Sequence, residues 1–115
     1  MYYESTRNNK IKKSFNDVLI EGLAEDGGLF VPKKWPKISN KELIKFSKMN
    51  YENIAFYISK KFIKNDIRDK DLKKIINNFF KNFSTKKKVT FKSLGNNKWI
   101  FELFHGPTLA FKDYA

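Results

Sequence analysis

Apolar residues recur at helical spacing in two long segments in the middle of the chain. Between residues 51 and 63, apolar side chains fall on one face at intervals of three and four residues. Between residues 69 and 83, a broad apolar stripe lies opposite lysines and asparagines. Such stripes are typical of helices packed on a core, so residues 1 to about 85 are expected to form a compact, mostly helical layer. The predicted core includes Phe56, Ile58, Phe62, Leu72, Ile76 and Phe79.

Two shorter helices are predicted from capping boxes. Ser14 and Asp17 have the spacing at which each side chain bonds the other residue's backbone N–H, and Gly22 marks the end of that helix. Ser39 and Glu42 repeat the pattern and predict a helix to about residue 47.

Short strands are predicted at residues 2–5 and 29–31. The second strand follows a tight turn at Asp26-Gly27-Gly28, where glycine tolerates a positive φ, and it stops at Pro32. Residues 89–94 and 98–104 are predicted to pair as a hairpin around Gly95-Asn96-Asn97. The second hairpin strand is almost continuously apolar, which predicts burial on both faces.

Composition places the chain among folded globular proteins and excludes several kinds of site. Its 115 residues are 41% apolar and include 12 phenylalanines, enough for a core in a chain of one-domain length. There is no cysteine and only one histidine, which excludes disulfides, thiolate chemistry and His- or Cys-based metal clusters, so no metal site is expected. We expect no membrane span and no secretory signal, and therefore a cytoplasmic location.

The formal charge of +12 raises the alternative of a basic nucleic-acid-binding domain. Its make-up argues against specific recognition, because 22 of the 24 basic residues are lysines and only Arg7 and Arg68 are arginines. The lysines are also spread over the whole length. A solvated surface is the preferred interpretation, and steeply salt-dependent DNA binding would be the signature of the alternative.

The last eleven residues, 105–115, hold the densest mixture of small and polar residues, directly after an apolar strand. Gly106 allows close approach of the backbone, and Thr108 can cap a following helix or donate to an anion. Lys112 lies one helical turn after Thr108, so the two are expected to share a face. If Ala110 and Phe111 desolvate Lys112, its amine can serve as a nucleophile or base; the competing interpretation is an ordinary surface lysine.

A second candidate is the group Ser5-Thr6-Arg7, which places two hydroxyls beside one of the two arginines. It can bind an anion, although a surface loop is the more common role of such a group. His105 has no serine or aspartate at a spacing that supports a catalytic triad, so a turn-capping or core role is preferred for it.

The segment from Glu102 to Asp113, Glu-Leu-Phe-His-Gly-Pro-Thr-Leu-Ala-Phe-Lys-Asp, closely resembles the pyridoxal-phosphate attachment segment of the threonine synthase family. Upstream, residues 3–7 resemble the family's opening Tyr-x-Ser-Thr-Arg-Gly, with Asn8 in place of the glycine. Residues 14–15, 22–24 and 26–32 are similar to its next block, so the resemblance covers essentially the whole chain.

The resemblance implies a fold-type-II pyridoxal-phosphate enzyme, a carbon–oxygen lyase that converts O-phospho-L-homoserine and water to L-threonine and phosphate. Lys112 would be both the cofactor-binding and the catalytic residue, attaching pyridoxal 5'-phosphate and then moving protons at the substrate carbons. Ser5, Thr6, Arg7 and Thr108 are weaker candidates for substrate binding.

The expected fold class is α+β. Residues 1–85 would form the helical N-terminal domain, and residues 86–115 would begin the catalytic domain. The abrupt stop after Ala115 predicts a cut chain that is inactive alone, since the family's phosphate-holding loop lies further on. A threonine-synthase-like phospholyase acting on another amino-alcohol phosphate remains an alternative.

Overall fold

The computed structural model describes residues 1–85 and 87–114 and divides the chain into two compact units. The first unit runs from Met1 to Leu72, and the second begins at Lys73. This division falls inside a helix and earlier than residue 85, so the domain boundary after residue 85 stays a prediction.

In the described part of the chain, four α-helices form where apolar periodicity and capping boxes predict them. Helix α1 spans Phe15–Glu21 and α2 spans Asn40–Phe46, each opened by the predicted capping box. Helix α3 spans Tyr51–Ile63, as the periodicity predicts, and α4 spans Asp69–Phe80. Helix α4 stops three residues before the predicted end, although the apolar stripe continues to Phe83.

Two small antiparallel sheets complete the α+β architecture. In the first unit, β1 (Tyr3–Ser5) pairs with β2 (Phe30–Pro32), with Tyr3 opposite Pro32 and Ser5 opposite Phe30. Pro32 is thus the last residue of its strand, where a missing N–H is tolerated. This pairing brings residues 5–7 beside the glycine turn at 26–28.

The second sheet is the predicted hairpin of β3 (Thr90–Gly95) and β4 (Lys98–Glu102). Asn96 and Asn97 both have positive φ, 48° and 58°, which is the backbone of the two-residue turn that matches strand twist. The pairing register shifts between Ser93 and Gly95, a bulge on the β3 side of the turn.

The expectation that β4 is buried on both faces is wrong for this chain. Trp99, Ile100 and Phe101 are 63%, 44% and 46% exposed, because the sheet has only two strands and neither face of β4 is covered in the described residues. The continuous apolar pattern indicates a strand suited to a larger sheet.

The apolar interior is split between the two units. In the first unit the buried side chains include Tyr3, Phe46, Ile63 and Leu72, and in the second they are Ile76, Phe80 and Phe83. Among the predicted core residues, Leu72 and Ile76 are buried and Phe56, Ile58 and Phe62 are partly buried. Phe79 is 38% exposed, which corrects its assignment to the core. It lies at the edge of the α4 stripe, beside Phe80 and Phe83.

Candidate functional site

The segment after β4 forms a turn that is held by one buried carboxylate. Asp113 is 9% exposed and accepts two hydrogen bonds from Thr108, from the backbone N–H at 2.9 Å and from the hydroxyl at 2.8 Å. Backbone bonds from Leu109 to Gly106 and from Asp113 to Ala110, each 3.1 Å long, close the rest of the turn. A short 3-10 helix, Phe111–Tyr114, follows and carries Lys112.

Gly106 is required in this turn for steric reasons. A Cβ built on Gly106 would lie 2.2 Å from Asp113 Oδ2, 2.4 Å from its Cβ and 2.6 Å from its Cγ. Real Cβ atoms do not approach other heavy atoms so closely, so any side chain here would push Asp113 out of the turn. The glycine therefore lets the carboxylate reach Thr108.

Lys112 projects from this turn as an exposed amine. Within the described residues, its side chain forms neither a hydrogen bond nor an ion pair. The expected common face with Thr108 is not found, because the helical segment begins only at Phe111 and Leu109 breaks the spiral with a φ of 60°. Thr108 faces Asp113 instead, and Lys112 is not desolvated by its neighbours in this chain.

The donor chemistry at this turn fits one part of pyridoxal phosphate. Covalent attachment of that cofactor requires a primary amine, which Lys112 supplies, and the side chain of Lys112 makes no bond to the described residues. The phosphate group has no comparable place, because the glycine nearest to Lys112, Gly106, has its open side filled by Asp113. Lys112 thus has the chemical group that attachment needs, and the described residues around Gly106 leave no space for a phosphate.

A second polar cluster precedes the turn, at the end of β4. Glu102 Oε2 lies 3.0 Å from His105 Nε2 and accepts a 2.9 Å hydrogen bond from the Thr90 hydroxyl. The hydrogen bond with His105, reinforced by that from Thr90, lowers the pKa of Glu102 below its ordinary value. The His105 carbonyl in turn accepts the backbone N–H and the hydroxyl of Ser84, at 3.0 and 3.2 Å.

These contacts identify residues that sequence reasoning missed. Asp113 and Glu102 are not among the candidates predicted from the sequence. Asp113 directly follows the candidate Lys112, and Glu102 comes three residues before His105. An acidic residue directly after the candidate lysine was the available signal for Asp113. No local signal pairs Thr90 with Glu102, because that contact depends on the hairpin register.

The second candidate group, Ser5-Thr6-Arg7, forms a hydrogen-bond network with the glycine turn in the first unit. The buried Ser5 hydroxyl donates to Asp26 Oδ1 at 2.7 Å. The Thr6 backbone N–H donates to the Leu29 carbonyl, and the Thr6 hydroxyl accepts the Leu29 N–H at 3.0 Å. Arg7 donates from its guanidinium to the Asp26 carbonyl at 3.1 Å and is otherwise exposed. A Cβ at Gly28 would lie 2.1 Å from Ser5 Oγ, so this turn needs glycine for the same reason as Gly106.

Asp26 is the carboxylate that accepts hydrogen bonds at the centre of this network. The hydrogen bond from Ser5 and then the N–H of Gly28, 2.8 Å from Oδ1, lower the pKa of Asp26, with a smaller contribution from the charge of Arg7. The hydroxyls of Ser5 and Thr6 are thus hydrogen-bonded within the chain, to Asp26 and to the Leu29 N–H just before β2. Arg7 keeps an exposed guanidinium.

We expect the contribution of the Ser5–Asp26 contact to stability to disappear in acid. Because the folded-state pKa of Asp26 is lowered, this contribution is present above the unfolded-state pKa of about 4 and is lost as pH falls through the folded-state pKa. Urea unfolding should therefore show that Ser5→Ala is less stable than the parent chain near neutrality and that the difference shrinks toward pH 2. Ser47→Ala is the matched control, because Ser47 donates to the Ile44 carbonyl and its cost should not vary with pH. A pH-independent cost for Ser5→Ala would contradict the assignment.

No helix in the described part of the chain is both long enough and apolar enough to cross a membrane.

Comparisons with known proteins connect both candidate segments to one family. A family model described as threonine synthase N terminus matches residues 2–80. The threonine synthase of Pseudomonas aeruginosa is 41% identical over 115 residues, which is all of this chain and 24% of that protein.

Two crystal structures have the same fold as this chain. The PLP-bound threonine synthase from Brucella melitensis superposes with a TM-score of 0.92 at 32% identity, covering 98% of this chain and 24% of that one. The yeast threonine synthase gives a TM-score of 0.89 at 37% identity, covering 97% and 23%. The chain thus spans about a quarter of the length of the relatives it matches.

Proposed function

Because this chain belongs to the threonine synthase N-terminus family, we propose that it forms the N-terminal part of an enzyme that converts O-phospho-L-homoserine and water to L-threonine and phosphate. The enzyme would be a pyridoxal-phosphate-dependent carbon–oxygen lyase acting on phosphates, located in the cytoplasm. The observation that carries the proposal is the exposed Lys112 amine, set on a turn whose shape depends on Gly106 and Asp113. One matching crystal structure is of a PLP-bound relative, which supports the same cofactor here.

Lys112 is proposed to hold pyridoxal phosphate through its amine and to move protons at the substrate carbons. The cofactor, when bound, supplies the electron sink, and the protein supplies position and electrostatics. Lys112 suits proton transfer because its side chain has four rotatable carbons and no partner among the described residues that would restrain it. Asp113 and Thr108 act through position, since their two hydrogen bonds fix the turn that carries the lysine.

The four proposed substrate-binding residues divide into two kinds. Ser5, Thr6 and Thr108 direct their hydroxyls to partners within the chain, which supports a role in shaping their loops. Arg7 is exposed and keeps guanidinium donors beyond its single contact with Asp26, which supports a role in binding the substrate's phosphate or carboxylate. We therefore propose Arg7 as the direct substrate contact of this group.

The experiment that tests the proposal supplies the full-length protein with pyridoxal phosphate and O-phospho-L-homoserine. Phosphate and threonine should appear in equal amounts. Phosphate release without threonine, or release only from another amino-alcohol phosphate supplied in a parallel assay, would favour the alternative phospholyase. Absence of release from every such substrate would contradict both. The 115-residue chain, whose described residues leave no space for a phosphate at Gly106, should form no threonine.

A further inference from the structure

The first unit contains an open cleft that is lined by none of the residues proposed for cofactor or substrate binding. Its volume is about 1030 Å³, at the upper end of the roughly 300–1,000 Å³ that small-molecule sites occupy. Its walls come from the N-terminus, the segment after β2 and helix α3. Six of its lining residues are lysines: Lys33, Lys34, Lys37, Lys60, Lys61 and Lys64. We call it the lysine cleft.

The positive charge of the lysine cleft is only partly compensated. Three of the six lysines have acidic partners: Lys33 lies 3.7 Å from Glu4, Lys61 lies 2.6 Å from Glu42, and Lys60 pairs with Asp69. The other three form no ion pair and no side-chain hydrogen bond within the described residues. They are Lys34, Lys37 and Lys64.

Among the described residues that line the cleft, Glu42 is the only acidic one, and its charge is already neutralised by Lys61. Three uncompensated ammonium groups around one concavity repel each other and attract an anion of several charges. The charge of the cleft therefore favours a ligand with more than one phosphate.

The cleft also offers an aromatic surface. Trp35 lines it and is 65% exposed, and its indole meets the Phe62 ring edge-on, with centroids 6.3 Å apart at 83°. This contact holds the indole while leaving much of it open to solvent. A flat aromatic ligand can stack on such a side chain, and stacking of this kind is tolerant of which base is bound.

The backbone at Lys64 supports a role for its charge. Lys64 follows the last turn of α3 with a φ of 57°, a conformation that glycine adopts more easily than lysine. Lys64 lines the cleft from this backbone conformation, which is strained for a lysine.

We propose that the lysine cleft binds a nucleoside triphosphate, with the base stacked on Trp35 and the phosphates held by Lys34, Lys37 and Lys64. The inference goes beyond the proposed function, because O-phospho-L-homoserine has no aromatic ring and a single phosphate. A free nucleotide is preferred to a nucleic acid because the site is one concavity with one exposed indole and no arginine in its lining.

Binding of fluorescent ATP to the full-length protein tests the proposal. One nucleotide should bind, and affinity should fall as salt rises from about 0.01 M to about 1 M, since the screening length shortens from about 30 Å to about 3 Å. The triple variant Lys34→Glu, Lys37→Glu, Lys64→Glu should weaken binding at least about tenfold. The matched control Lys41→Glu, Lys48→Glu, Lys70→Glu makes the same charge change on exposed residues outside the cleft and should change affinity by less than about twofold.

Two further measurements distinguish the contribution of base stacking to affinity from the contribution of the phosphates. Trp35→Ala should weaken ATP roughly tenfold while leaving inorganic tripolyphosphate nearly unaffected. The proposal is overturned if the full-length protein does not bind ATP, if both triple variants weaken it equally, or if tripolyphosphate binds as well as ATP. A single-stranded oligonucleotide that binds far more tightly than ATP would also overturn it, in favour of a nucleic-acid surface.

Discussion

Lys112→Ala in the full-length protein is expected to abolish threonine formation while leaving the fold intact. Lys112 is exposed and has no partner among the described residues, so its removal should change stability by no more than about 0.5 kcal/mol. Alanine can neither attach the cofactor nor move a proton. Loss of proton transfer alone costs about 10²–10⁴-fold in rate, and loss of attachment adds to it.

Lys98→Ala is the control for this substitution, because it removes another exposed lysine of the same unit and should leave turnover within about twofold of the parent. Borohydride reduction with pyridoxal phosphate, followed by peptide mapping, supplies a readout that is independent of activity. In the full-length protein the label should be found on Lys112. Label on a different lysine, or full activity of Lys112→Ala, would contradict the assignment.

The same labelling applied to the 115-residue chain is expected to give weak modification spread over many of its 22 lysines. Among the described residues next to Lys112 no glycine turn has room for the cofactor phosphate, since the space at Gly106 is filled by Asp113. Tight labelling of Lys112 alone in the short chain would show that these residues already build most of the pocket.

The helices could be predicted from the sequence because their signals are local. The two capping boxes at Ser14 and Ser39 and the periodicity of residues 51–63 each specify an element through neighbours in the chain. The two-asparagine turn of the hairpin is equally local, since asparagine tolerates the positive φ that this turn needs.

The exposure of β4 could not be predicted in this way. An apolar run such as Trp99-Ile100-Phe101 indicates that the strand is suited to a buried position. Whether the strand is buried depends on which other segments cover it. The same limit applies to Phe79, which has the helical spacing of a core residue but lies at the margin of the stripe.

The sequence indicates residue types for the candidate site, which stay a prediction, but it does not indicate the geometry of the turn that carries them. Lys112 and Thr108 were selected for their chemistry, and a regular helix would have placed them on one face. The positive φ of Leu109 and the late start of the 3-10 helix turn Thr108 toward Asp113 instead. A backbone irregularity of one residue thus decides which side chains meet, and helical periodicity carries no information about it.

Gly106→Ala is expected to be among the most destabilising single substitutions in the second unit. The new Cβ would lie 2.2–2.6 Å from three atoms of Asp113, so the carboxylate must leave the turn or the backbone must move. Overpacking of this kind costs about 1–3 kcal/mol, and loss of the hydrogen bonds from Thr108 to a carboxylate adds about 1.5–3 kcal/mol. The free energy of unfolding of the chain, measured in urea, should therefore fall by about 2.5–6 kcal/mol.

A local measurement and a double variant identify the cause of this loss. The Thr108 amide, which donates to Asp113 Oδ2, should exchange its hydrogen much faster in Gly106→Ala than in the parent. In an Asp113→Gly background the three Asp113 atoms that the added methyl would meet are absent, so Gly106→Ala should there cost little further stability. Gly22→Ala is the control, because it strains a φ of 74° with no atom within 4 Å, and its cost of about 1 kcal/mol should be unchanged by Asp113→Gly. If Gly106→Ala costs as much with Asp113→Gly as without it, the turn is not held open for the carboxylate, and the geometry proposed to present Lys112 is wrong.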